Sequence, residues 1–100
     1  MSSFAELQRA DRRLVILRLL MEEHQYRASE MILWRALELF GHAVALDVVR
    51  VDMDWLAEAG LLTVQTVADI HIATLTTHGL DAATGRATVS GVQRPAPGER

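Results

Sequence analysis

The stretch "DMDWLAEAGLLTVQTVADIHIATLT", residues 52 to 76, decides the fold of this 100-residue chain. Its opening is helical in composition, and Gly60 supplies the left-handed stop that ends many helices. "LLTVQTV" and "IHIATLT" then form two runs with period-2 alternation, rich in Val, Ile and Thr. Only Ala68 and Asp69 separate them, and that pair is not the favoured Asn-Gly type, so register and loop length stay open. The order is that of a recognition helix meeting its wing.

Upstream, "ALDVVRVDMDWLAEAG" extends the helix. Leu46, Val49, Met53 and Leu56 keep the three-four spacing of a core face, Asp47 is a candidate N-cap, and Leu46 with Val51 is a candidate staple. "YRASEMILWRALELFGH" reads as a preceding helix with Ser29 as N-cap and Gly41 past its end. Its expected apolar set is Ile32, Leu33, Leu37 and Phe40, with Glu30, Arg35 and Glu38 facing water. A first helix spans roughly residues 4 to 24, and its apolar surface is wide enough to suggest burial on two sides, the second at a subunit interface. Downstream, "TTHGLDAATG" starts a short helix capped by Thr76 or Thr77 and stopped by Gly85. The expectation is therefore a mainly α chain with a small β-hairpin, a winged helix-turn-helix domain over 1–87, and an extended C-terminal arm over 88–100 that is ordered only if something holds it.

Composition narrows the chemistry. The formal charge is −3, and all ten basic residues are Arg. Without Cys there are no disulfides, thiolate metal sites or Cys nucleophiles. The apolar run "LVILRLLM" is broken by Arg18 and is far shorter than the roughly 20 residues of a membrane span. Glu22, Glu23 and His24 follow it where a signal peptide would place small residues, so a soluble, cytoplasmic protein is expected. The histidines at 24, 42, 71 and 78 lack ligand spacing, and the carboxylate pairs lie at helical spacings that point apart. The expectation is no enzyme, no catalytic residues, no cofactor, no metal and no membrane partner.

From the third helix through the ribbon, "WLAEAGLL…ATLT" resembles the ArsR-like winged-helix regulators, whose recognition helix typically ends in Leu-x-x-Ala-Gly-Leu. Leu56, Ala59, Gly60 and Leu61 stand in those positions. The continuation "TLTTHGLDAATGR…VSGVQRP" looks like small proteins encoded by Mu-like, transposable phages and prophages. The resemblance implies a winged-helix fold, a homodimer and a transcriptional regulator that binds DNA. The metal-sensing members carry Cys on the recognition helix, which this chain lacks. Where DNA-reading residues are commonly Ser, Thr, Gln, Arg or His, this chain has Val48, Val49, Arg50, Val51 and Asp52.

DNA binding needs cations for phosphate and side chains that reach base edges. The third helix offers Arg50 alone against Asp47, Asp52, Asp54 and Glu58, while the wing offers Gln65, Thr66 and His71. Arg50, Gln65, Thr66 and His71 are thus the candidate DNA contacts. Charge is uneven along the chain. Residues 1–27 hold five Arg against four acids, 28–60 two against six, and 61–100 three against three. Basic residues cluster instead at Arg9, Arg12 and Arg13. Val48 and Trp55 share a side of the third helix distinct from its core face. With Asp52 they are the candidate contacts for a protein partner, host or phage, in an alternative reading where a winged helix serves as an interaction module and DNA affinity is lost. A third reading is a structural dimer in packaging or assembly.

Overall fold

The structure, a computed structural model, describes residues 3–97. Helix α1 is Phe4–Glu22, and strand β1 is Arg27–Ser29 after a single turn of 3-10 helix at His24–Tyr26. Helices α2, Glu30–Leu39, and α3, Leu46–Glu58, make the helix-turn-helix. The wing is β2, Leu62–Val67, and β3, Ile70–Leu75, and α4 is Thr77–Thr84. The sheet is antiparallel in the order β1-β3-β2. This is a winged helix-turn-helix.

Local chemistry explains the boundaries. Ser3 and Glu6 form a reciprocal capping box at α1, which satisfies two N–H groups that a helix start leaves open. The Ser29 hydroxyl accepts from the Ile32 N–H at 3.3 Å, and Thr76 caps α4 by accepting from Gly79 at 3.0 Å. Gly85 ends α4 at φ +84°. In the wing, Val67 pairs with Ile70, leaving a two-residue loop in which Ala68 and Asp69 both have positive φ. That is the primed geometry that suits strand twist, here adopted without the usual Asn-Gly pair.

The core joins Leu14, Ile16, Leu17 and Leu20 of α1 to Leu33, Leu37, Val49, Met53 and Leu56, and closes with Leu61, Leu62, Ala73 and Leu75. Helix α1 is central, packing on α2, β3 and α4. Its second apolar side is therefore covered within the chain, by α4 and by Val89 and Val92 of the C-terminal segment, where a subunit interface was expected. Gly79 lets α4 approach the junction between α3 and β2, since a Cβ there would stand 1.9 Å from the Leu61 carbonyl oxygen. The C-terminal segment is held, with the Gln93 N–H bonded to the Ala10 carbonyl at 3.1 Å and Arg94 bonded to Thr88. Residues 98–100 of the expected arm lie outside the described residues.

Four expectations change. The sheet has three strands where two are expected, since the three residues of β1 are too few to show alternation. Glu30, expected in water, is buried, while Ile32 and Phe40, expected in the core, are exposed. Ala45, with no side-chain cap bond, occupies the N-cap of α3, and Asp47 lies in its first turn, where a carboxylate still suits the helix dipole. Val51 is 64% exposed, so no staple with Leu46 forms.

Candidate functional site

Helix α3 presents three stripes. Val49, Met53 and Leu56 are fully buried and form the core stripe. Val48, Asp52 and Trp55, spaced four and seven residues from the first, face the start of α1 across a groove of about 410 Å³. Asp47, Val51, Asp54 and Glu58 share the same helical spacing and are exposed. They are the outward face of the recognition helix, and it is acidic with an apolar centre.

The middle stripe is not a free surface. Asp52 is only 2% exposed, so its place as a candidate partner contact is corrected by burial. Arg12 is itself buried and donates to both Asp52 oxygens, through Nε to Oδ2 and through Nη2 to Oδ1 at 3.4 Å. Arg13 Nε stands 3.8 Å from Asp52 Oδ1 and has no hydrogen-bond partner, so its attraction to Asp52 is Coulombic. The same guanidinium lies 3.9 Å over the Trp55 ring and donates to the Gly91 carbonyl at 3.0 Å. Burial pulls Arg13 below its ordinary pKa, and Asp52 works against that pull. Trp55 is thus wrapped by Arg13 and Gly91, and Val48 is half-buried in the groove. The Arg12 and Arg13 pair visible in the sequence is spent on holding α3 and the C-terminal segment to α1.

On the wing side, Arg50 faces a different carboxylate. Its Nε and Nη2 donate to Glu30 at 2.5 and 3.0 Å, and Nη2 also reaches the Asp69 carbonyl at 3.3 Å. Glu30 is 1% exposed and accepts a third bond, from the His71 backbone N–H at 2.7 Å. The Arg50 bonds hold the Glu30 carboxyl below the usual range, against the opposing cost of burial, and the His71 N–H adds to them. Arg50 is raised in turn, chiefly by its bond to Glu30.

Of the other candidate contacts, His71 alone meets Arg50, through its backbone N–H on the Glu30 carboxylate. Gln65 projects from the outer face of the sheet and accepts from Arg27 at 3.4 Å. Thr66 pairs with His71, and alternation turns both to the opposite face. His71 Nδ1 is buried without a hydrogen-bond partner, and the hydrogen bond that His71 gives to Glu30 comes from its backbone N–H. Glu30, expected to face water, is the functional residue that the sequence misplaces. The signal that could have found it is register, since Ser29 opposite Ile72 places the next residue opposite His71. Among the described residues, no three His, Asp or Glu side chains come together as metal ligands, and no helix is long and apolar enough to cross a membrane.

The chain is 52% identical over 87 residues to gp26 of Escherichia phage Mu, an uncharacterized protein, covering 87% of this chain and 90% of gp26. It is 41% identical over 98 residues to an uncharacterized protein of Haemophilus influenzae, covering 97% of this chain and 94% of that one. Among solved structures, a chain in the complex structure of hsRosR-S4 matches with a TM-score of 0.62 and 26% identity, over 71% of this chain and 61% of that one. No family model matches the sequence.

Proposed function

We propose that this chain, which belongs to the family of gp26 of Escherichia phage Mu, is a winged-helix transcriptional regulator that binds duplex DNA as a homodimer. The observation that carries the reading is the frame itself: α2 and α3 in helix-turn-helix order, with the wing fixed beside α3 by Glu30 and Arg50. The likeness to the hsRosR-S4 chain, which extends over most of this one, supports the same class. The finer assignment is ArsR-like, cytoplasmic in a bacterial host, and without enzymatic activity. Exposed Phe4 and Leu7 on α1 are the apolar residues offered to the second subunit, with the C-terminal segment beside them.

One observation favours a second reading. The outward stripe of α3 carries Asp47, Asp54 and Glu58 around Val51, and such a surface opposes phosphate while suiting a basic protein. In that reading the family uses the winged helix as a protein-interaction module. Fluorescence anisotropy with DNA flanking the chain's own gene separates the two, using wild type and Asp54→Lys at low salt. A regulator prefers that DNA to random duplex, and Asp54→Lys strengthens binding to both by replacing an opposing charge with a favourable one. Equal, weak binding to both duplexes would sink the regulator reading.

A further inference from the structure

Strand β1 stops at Ser29, opposite Ile72, because Ser29 caps α2 and the chain turns into the helix. Had the strand run on, Glu30 would face His71 in the ladder. The main chain has left, yet the Glu30 carboxylate takes the place of a strand carbonyl and accepts the His71 N–H at 2.7 Å. That same carboxylate binds Arg50, the one basic residue of α3, and Arg50 reaches the wing turn at the Asp69 carbonyl. One buried acid therefore joins the start of the helix-turn-helix, the recognition helix and the wing.

We infer that Glu30 is a positioning residue that latches the wing to α3 and withholds Arg50 from an anionic partner, so that Glu30 and a phosphate of duplex nucleic acid compete for Arg50. The phosphate half rests on the regulator reading above; the latch half does not. The competition follows from burial. Glu30 is 1% exposed, so a phosphate that drew Arg50 away would leave a buried carboxylate with the His71 N–H alone. The Arg50 side chain is 39% exposed, which gives an incoming anion an approach to it. Asp47 and Asp69 are the other charged groups acting on Arg50, and both favour its cationic form. Taking Arg50 out to phosphate and loosening the wing are then one event.

The test uses the full chain as wild type, Glu30→Gln and Arg50→Gln. Thermal melting first establishes that each variant is folded. Amide exchange at His71, followed by NMR without DNA, reads the latch. Affinity for a random-sequence duplex over a salt series reads the withholding. Glu30→Gln is expected to speed His71 exchange by at least about tenfold, the scale of a lost charge-assisted hydrogen bond, and Arg50→Gln to speed it by less, because the carboxylate still accepts the N–H but is no longer held by the arginine. Glu30→Gln should also bind duplex several-fold tighter, with a log–log salt slope steeper by about 0.9, the mark of one added phosphate contact. Arg50→Gln should gain neither. If Glu30→Gln does not fold, Arg50→Gln still reports on the latch. Unchanged His71 exchange overturns the latch, and unchanged affinity and slope in Glu30→Gln overturn the withholding. A wild type with no preference for its own flanking DNA defeats the regulator reading alone and leaves the exchange result to decide the latch.

Discussion

Two arginine–carboxylate joints flank α3, and they differ in which partner is buried. On the α1 side, Asp52 and Arg12 are both buried, and Arg13 is nearly so. On the wing side, Glu30 is buried but Arg50 keeps 39% of its side chain in water. The first joint binds one part of the scaffold to another. The second binds the scaffold to the wing, and its arginine can leave without being stranded in an apolar environment. The same chemistry thus yields a permanent weld on one side of the helix and a releasable contact on the other.

The sharpest way to break this comparison is to remove each acid. Asp52→Asn leaves Arg12 buried beside a neutral amide, and the loss of one partner from a buried pair costs about 3–5 kcal/mol. For a domain of this size, the melting temperature should fall by at least about 12 °C. Glu30→Gln should lower it by less, because Arg50 can turn to solvent. Equal losses in the two variants, measured by calorimetry, would erase the distinction between weld and latch.

The sequence made the frame legible and the joints illegible, and the reason is the range of the interactions. The hairpin, the Ser29 and Thr76 caps, the Gly85 stop and the core stripe of α3 are local patterns, readable within a dozen residues. The separate side shared by Val48 and Trp55 was also visible, since helical spacing fixes it. What covers that side was not. Asp52 lies forty residues from Arg12, and a count of charges in α3 treats it as one more surface acid. Its burial removes it from the outward face and leaves Asp47, Asp54 and Glu58 to set the potential there. Glu30 is misplaced on the water side for a related reason. A glutamate in the first turn of a helix normally sits in water near the positive end of the dipole, and only the three-residue β1 reveals that it stands opposite His71.

A smaller effect probes how far the α1-side joint reaches. Gly91 has φ +93°, and a Cβ there would stand 2.6 and 2.8 Å from Trp55 ring atoms. Gly91→Ala should cost about 1–3 kcal/mol through crowding and backbone strain. In a Trp34→Phe background, emission from Trp55 should shift to the red as the C-terminal segment lifts and water reaches the ring. Loss of stability without that shift would mean that the segment stays seated and the strain is absorbed elsewhere.

The smallest effect belongs to the latch and is read by acid. The folded pKa of Glu30 lies below its ordinary value near 4.5, so its contribution is present in full above that value. It is lost as pH falls through the lower, folded pKa. Arg50 stays charged throughout this range, so protonation of Glu30 removes the attraction while leaving the cation in place. The His71 N–H then loses its charged acceptor, and the wing should open locally before the core unfolds. Protection of the His71 amide should therefore fall only as the pH drops below 4.5, ahead of the amides of Ala73 and Leu75, which lie deeper in the sheet. Arg50→Gln should lose that protection at a higher pH than wild type, because the arginine is the main reason the carboxyl stays ionised. If all three amides lost protection together in wild type, wing and core would be one cooperative unit, and the Glu30 joint would be a second weld.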